Sequence, residues 1–240
     1  METIRGIVLR TVRYGDNKLI LDLFTEGRGR MSFITTLSRS RRSPLATAFW
    51  QPLSMVEFQA EVRPIVALPR PHDVRFYYAY IHLPFSPVKS TIVLFLAEFL
   101  AAALREEKQN VPLYRYLEHS LQWFDEARFP AAIANFHLVF LMHLSRFVGI
   151  YPNTEHPARF FDLLSATYQT QPPAHAYYIK DAEAQVIPLL FRMNYSTAHL
   201  FKFSAAQRRR IIDVLNTFYR LHVPNFPELR SVEVLHEVFS

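Results

Sequence analysis

Apolar and polar residues alternate with a period of two through the first 75 residues, then switch to helical spacing near Tyr78. Thr3–Arg13 predicts a first strand, and Tyr14-Gly15-Asp16-Asn17 a turn. Lys18–Thr25 follows as strand two, with Leu19, Leu21 and Leu23 on one face. Glu26-Gly27-Arg28-Gly29 turns the chain into Arg30–Leu37. Leu53–Val62 predicts a fourth strand, in which Val56, Phe58, Ala60 and Val62 face in and Met55, Glu57, Gln59 and Glu61 face out. A short fifth strand is expected around Ile65–Leu68. Five short strands are too few for a sandwich, but they can close a small barrel of the OB type.

The later pattern is helical. Ser86-Pro87 starts a helix, because proline at the first helical position gives up an amide that lacks a partner there anyway. This helix is expected to reach Glu107 and is apolar almost all round, as in a central helix. Asn110 and Pro112 open a second, ending near Arg128. Pro130 opens a third, rich in Phe and Leu, with Gly149 as its C-cap. Tyr151–Lys180 reads as irregular, with Pro152, Pro157, Pro172 and Pro173. Asp181 and Glu183 are acids suited to a helix's first turn. Ser204 with Gln207 forms a capping box for a helix to about His222, and Pro224 and Pro227 precede a last amphipathic helix, Glu228–Phe239. The expected fold class is therefore α+β with two domains: an OB-type five-stranded β-barrel over residues 1–78 and an all-helical domain over residues 79–240.

Composition adds a location for function. Half of the 240 residues are hydrophobic and 15% are aromatic, which fits a globular chain and excludes a disordered one. Between Gly27 and Val56 stand Arg28, Arg30, Arg39, Arg41 and Arg42 without one acidic residue, and Phe33, Phe49 and Trp50 lie in the same stretch. Residues 1–75 hold 12 Lys and Arg against 7 Asp and Glu, whereas residues 76–240 hold 15 against 14. Guanidinium groups gathered in this way call for a polyanion, of which nucleic acid is the commonest, or for plain solvation. Met1–Gly6 already alternates like a strand, so no secretory signal is expected. Thr91–Leu104, interrupted by Glu98, is too short to span a bilayer, so no membrane role is expected. With no cysteine there is neither disulfide nor thiolate chemistry, which fits the cytoplasm.

Catalytic motifs are weak. The five glycines form neither GxGxxG nor GxxxxGK[ST], His236-Glu237 lacks the second histidine of HExxH, and no GxSxG occurs. His137 and His143, six apart, fall on different helix faces, and each reads better as a core or groove histidine than as a metal ligand. No enzyme and no cofactor is expected.

A series of short motifs then carries a resemblance. Gly6-Ile7-Val8-Leu9-Arg10, Tyr14-Gly15-Asp16, Leu23-Phe24-Thr25, Gly29-Arg30 and Gln51-Pro52-Leu53 run in order through the first third. Lys89-Ser90, Leu96-Ala97-Glu98-Phe99-Leu100, Glu118-His119-Ser120-Leu121, Asn135-Phe136-His137-Leu138, Phe147-Val148-Gly149 and Phe226-Pro227-Glu228-Leu229-Arg230-Ser231 continue it. In this order they resemble the RecO family of bacterial recombination mediators. The resemblance implies an N-terminal OB domain and a helical C-terminal domain. It also implies binding of single- and double-stranded DNA, annealing of complementary strands, and partnership with RecR and the C-terminal tail of single-strand-binding protein. Together these would help load RecA onto coated DNA at the nucleoid.

Carried onto this chain, Arg28 and Arg30 occupy the family's Gly-Lys/Arg turn, and Arg39, Arg41 and Arg42 its basic loop. The loop departs from the family pattern at Thr35-Thr36-Leu37. Many relatives carry a four-cysteine zinc module after the position of Gly149; without thiolates the metal is expected to be missing. Aromatic residues of Tyr151–Tyr178 are expected to pack in its place. Trp50 either stacks on a base or seals the barrel bottom, and Phe33 leans to the core. Arg208, Arg209 and Arg210 form a possible secondary DNA surface or are solvated charges, and Lys89 either contacts phosphate at a helix start or belongs to a cap. Two other functions stay open: an adaptor whose basic loop binds an acidic partner protein with little DNA contact, and a hydrolase or transferase using His137, His143 or His175.

Overall fold

A computed structural model describes residues 1–36, 47–63 and 68–238. They fall into two compact units, Met1–Glu126 and Ala127–Ser240. The first unit holds β1 (Glu2–Tyr14), β2 (Lys18–Thr25), β3 (Gly29–Thr36), β4 (Met55–Ala60) and β5 (His72–Tyr78) in one antiparallel sheet of order β3-β2-β1-β4-β5. β1 is long because it pairs with β4 over Glu2–Ile7 and with β2 over Gly6–Tyr14, and a register shift between Val8 and Arg10 lets it bend from one to the other. The two sheet edges approach where the Ile34 N–H donates to the Pro69 carbonyl at 3.0 Å. The sheet is therefore barrel-like without a closing strand pair, and the fold class is the expected one.

The inner face carries Ile4, Val8, Leu19, Leu21, Leu23, Phe33, Trp50, Val56, Phe58 and Ala60. Strict alternation fails on β4, where Met55 is fully buried and Glu57 is nearly so. Period-two reading assumes that the second face is wet, and here half of it is covered. Ile7 and Phe24 on that face are fully buried, and the Phe24 ring lies 6.3 Å from Tyr114. Glu57 tolerates burial because Arg5 donates to it at 2.7 Å and Arg75 pairs with its other oxygen, and these bonds hold its carboxyl below the usual range. The fifth strand is His72–Tyr78 and not Ile65–Leu68; of that span, residues 65–67 lie outside the described residues and Leu68 stands in a bend.

Two helices complete the first unit, α1 (Pro87–Ala103) and α2 (Val111–Glu126). Ser86 caps α1 by accepting from the Lys89 N–H, and the helix stops four residues before the expected Glu107. Asp125, on the last turn of α2, is fully buried. Its carboxylate accepts from the backbone N–H groups of Ile81 at 2.8 Å, His82 at 2.9 Å and Leu83 at 2.6 Å, and from the Tyr78 hydroxyl. The change of pattern near Tyr78 thus marks the end of the sheet, and the compact unit continues through the helices bound to it.

The β2–β3 turn is held by the segment after α1. Gly29 has φ +71°, and a Cβ there would fall within 2.6 Å of the Glu107 carbonyl oxygen and closer still to the Lys108 backbone. Arg30 follows, its N–H donating to the Glu107 carbonyl at 3.0 Å. Gly29→Ala should therefore cost on the order of 3 kcal/mol, since strain at positive φ adds to overpacking against backbone that cannot rotate away. A lower urea midpoint with an unchanged slope would show it.

The second unit begins with α3 (Pro130–Phe147), which buries Phe136, Leu138, Phe140, Leu141 and Leu144 and ends before Gly149 at φ +75°. The stretch read as irregular contains a small sheet, β6 (Phe160–Asp162), β7 (Thr167–Gln169) and β8 (Tyr178–Lys180), in the order β7-β6-β8. Three-residue strands are too short to show a period. Buried Asp162 organises them, accepting from the Leu164 N–H at 2.8 Å, the Ser165 hydroxyl at 2.9 Å and the Gln169 amide at 2.9 Å. Aromatic contacts add to it: Phe161 meets Tyr168 edge-on at 5.0 Å, and Tyr151 meets Phe191 at 4.7 Å. Next come α4 (Asp181–Ala184), α5 (Val186–Arg192), α6 (Ala205–His222) and α7 (Ser231–Val238). The capping box of α6 forms as expected, with Ser204 and Gln207 each accepting from the other's backbone N–H. α7 starts three residues later than expected, and Phe239 lies outside the described residues.

Candidate nucleic-acid interface

The arginines of the basic segment separate into two groups. Arg28 sits in the β2–β3 turn, half exposed, paired with Glu2 at 3.0 Å. Such a surface pair is weak, so a phosphate could replace the Glu2 carboxylate. Arg30 is a structural residue: its guanidinium donates to the Ala101 carbonyl at 2.6 Å, on the last turn of α1, and to Asp22 at 3.0 Å. A cation at a helix C-terminus satisfies carbonyls that lack intrahelical partners, which takes Arg30 out of the candidate DNA surface. Arg39, Arg41 and Arg42 lie outside the described residues, but both anchors of their loop are placed. The chain leaves β3 at Thr36, opposite Lys18, and returns at Thr47 just before Trp50, whose carbonyl accepts the Thr11 hydroxyl at 2.8 Å.

Thr36 and Gly29 are the two ends of β3, about 24 Å apart at some 3.4 Å per residue. Arg28 and Arg30 therefore stand at the opposite end of β3 from Thr36, where the described chain breaks off. The loop departs beside the β1–β2 turn, where Arg10 and Arg13 are exposed and Lys18 is half-buried. Tyr14 in the same place is 58% exposed. Arg10, Arg13 and Lys18 fall on the first two predicted strands and Tyr14 opens the turn between them, so the sequence reading gives none of the four a site role. The signal was available, since Arg10, Arg13 and Lys18 flank a tyrosine beside a Gly-containing turn.

Trp50 does not offer its face to a base. It is 6% exposed in the barrel core, its ring 6.3 Å from Phe58 and 6.4 Å from Phe49. Lys89 is 3% exposed, and its ammonium donates to the Asp125 carbonyl at 2.7 Å and lies over the Phe124 ring, so it fixes a helix end and meets no phosphate. In the second unit Arg208 donates to the Phe203 carbonyl, and burial lowers its guanidinium pKa. Arg209 donates twice to the His236 carbonyl, at 3.1 and 2.8 Å. Arg210 forms a two-pronged pair with Glu183 at 2.8 and 2.9 Å, which raises the arginine and lowers the carboxyl. Consecutive helix positions point apart, and each of the three serves a separate intramolecular contact.

The histidines also stay apart. Burial pushes the His137 imidazole down to about 3, with Arg208 and His236 adding to the shift. His143 contacts the Met193 carbonyl at 2.8 Å, and His175 faces Asp162 at 3.4 Å. Among the described residues no group of three or more His, Cys, Asp or Glu is placed to hold a metal ion, and no helix is long and apolar enough to cross a membrane.

Comparison with known proteins decides the family. Residues 1–70 match the model described as Recombination protein O N terminal, and residues 84–231 match Recombination protein O C terminal. A protein of Phocaeicola vulgatus named DNA repair protein RecO is 49% identical, and one of Bacteroides fragilis with the same name is 44% identical, each over 98% of both chains. The chain belongs to the RecO family. The relatives are named for DNA repair. A more distant RecO of Flavobacterium psychrophilum, 30% identical, still aligns over 98% of both chains.

Proposed function

We propose that this protein binds DNA in recombinational repair, anneals complementary strands, and acts with RecR and single-strand-binding protein to load RecA at the nucleoid. The observation that carries the reading is the position of its charge. Residues 1–75, with 12 Lys and Arg against 7 Asp and Glu, hold most of the net +6, and the chain that carries Arg39, Arg41 and Arg42 leaves the sheet at Thr36, beside Arg10, Arg13 and Lys18. Annealing requires two polyanions to approach, and clustered guanidinium groups screen each from the other. The test is annealing of complementary oligonucleotides coated with the cognate single-strand-binding protein. Acceleration by the protein is expected; no acceleration, with partner binding intact, would leave the adaptor reading in its place.

The partner reading has its own candidate site. In the second unit an apolar groove of about 290 Å³ is lined by Ile179, Val186, Ile187, Leu190, Phe203 and Ile211, with Arg210 among its lining residues. An acidic tail ending in an apolar residue suits it, because the end fills the groove and the acids can compete with Glu183 for Arg210. Ile187→Glu should weaken binding of the tail peptide at least tenfold by placing an uncompensated carboxylate in the groove, while DNA affinity stays unchanged. Fluorescence anisotropy with labelled peptide and labelled DNA would measure both.

A further inference from the structure

The apolar groove of the second unit already has a carboxylate on its rim. Glu183 of α4 and Arg210 of α6 both line it. The Glu183 carboxylate accepts from Arg210 Nε at 2.8 Å and from its Nη2 at 2.9 Å. This is the parallel two-bond geometry with which a guanidinium takes any carboxylate, a peptide's included. The pair stands half in water, Arg210 being 53% and Glu183 45% exposed, and an ion pair so open adds little to the fold. Nor does α4 depend on it. The Asp181 N–H donates to the Arg159 carbonyl at 2.9 Å, the Asp181 carboxylate pairs with the Arg159 guanidinium at 3.0 Å, and the Tyr168 hydroxyl donates to the carbonyl of buried Ala184. Glu183 can therefore leave Arg210 by side-chain rotation alone, with α4 in place.

We propose that Glu183 is a built-in competitor for Arg210, a stand-in for the partner's carboxylate that an acidic peptide displaces as its apolar part seats in the groove. The inference rests on the reading that an acidic tail takes this groove, and it adds how the site is regulated. Arg210 holds the Glu183 carboxyl below its usual range, so the competitor is charged at neutral pH. Asp213, on the same helix, also acts on Arg210 through space, but it faces His236 at 3.5 Å. While the Glu183 pair is formed, the charge that would attract an acidic ligand is cancelled where that ligand must enter. Exchanging one carboxylate for another leaves the number of hydrogen bonds unchanged, so the net gain has to come from apolar burial against Ile187, Leu190 and Ile211. Glu183 thereby sets a threshold. An acid without an apolar part, a phosphate among them, could replace it but gains nothing further. An apolar peptide without an acid leaves the pair standing. A ligand that carries both is selected over either, and the selection comes from a repulsive element, the resident carboxylate, as much as from the groove itself.

The test measures binding of two labelled peptides by anisotropy: the acidic tail peptide of the cognate single-strand-binding protein, and a copy with its acids changed to amides. Glu183→Gln and Glu183→Ala, each checked for folding by urea unfolding, should bind the acidic peptide about fivefold more tightly than wild type, because the pair no longer has to open and a like charge is gone. Affinity for the amide copy should change by less than about twofold, since that peptide does not call on Arg210. In an Arg210→Gln background the gain from Glu183→Gln should fall below about twofold, as expected when two residues act through one contact. At roughly 1 M salt it should vanish, because the groups are exposed and screened. Unchanged or weaker binding of the acidic peptide by the folded Glu183 variants would overturn the proposal. So would an equal change for both peptides, which marks a structural role for Glu183. Wild type and Glu183→Gln both failing to bind the acidic peptide would sink the groove reading as well, whereas wild-type binding that is indifferent to Glu183 sinks only this inference.

Discussion

Replacing Asp125 with alanine should destabilise the protein by on the order of 4 kcal/mol, the largest stability loss expected from one side chain here. The carboxylate is fully buried and accepts from three consecutive backbone N–H groups, Ile81, His82 and Leu83, and from the Tyr78 hydroxyl. Alanine leaves these donors buried without an acceptor, and each unsatisfied donor costs about 1–3 kcal/mol, less when several relax together. Asp125→Asn should cost less, because its amide oxygen still accepts on one side. The pH dependence follows from the direction of the shift. Burial raises the Asp125 carboxyl, but the N–H groups of Ile81, Leu83 and His82 with the Tyr78 hydroxyl outweigh it, so its folded pKa is lowered. The carboxylate's contribution is therefore fully present above its unfolded pKa, roughly 3.9, and is lost as pH falls through the folded value. The stability gap between wild type and Asp125→Asn, read from urea unfolding, should be constant near neutrality and shrink only below about pH 4. A gap that persisted unchanged in stronger acid would mean that the carboxylate charge contributes nothing there.

Asp125 also shows what the sequence could and could not disclose. Strands two and three, the start of α1 and the capping box of α6 were legible because each is set by neighbours within four residues: a period, a proline, a Ser-x-x-Gln. The tie between Asp125 and Ile81–Leu83 spans more than forty positions and leaves no local mark. The same holds at the candidate site. Arg30 looked like its neighbours in a basic run, but contact with Ala101, seventy-one residues on, makes it structural. Lys89 and Trp50 each kept two readings in the sequence for the same reason, since nothing adjacent in the chain says that Asp125 or Phe58 will cover them. Glu57 read as a wet position because alternation cannot register the arginines that bury it, Arg5 from β1 and Arg75 from β5. Charge excess was legible in total but not in detail: the sequence shows that it gathers in residues 1–75, but not which arginines there are already committed to the fold.

The second large effect concerns that uncommitted charge. Alanine at Arg39, Arg41 and Arg42 together should lower single-strand affinity on the order of 50-fold at roughly 0.15 M salt and flatten the log–log salt slope by about 2, at some 0.7 counterions released per phosphate contact. Removing Arg30 from the count and adding Arg10, Arg13 and Lys18 predicts about six contacts at this end of the sheet, a wild-type slope of roughly −4. The triple variant should retain about half of it. Loss should be similar for unrelated sequences, since phosphate contacts carry no base information, and annealing of coated strands should slow in parallel. Arg28→Ala, at the opposite end of β3 and paired with Glu2, should change the slope by less than about 1. Urea unfolding should be unaltered in the triple variant, because charged loop residues seldom carry core energy. The two ends of the sheet thus make opposite demands on one experiment. An unchanged slope in a folded triple variant, together with a flattened slope in Arg28→Ala, would move the DNA path to the β2–β3 turn.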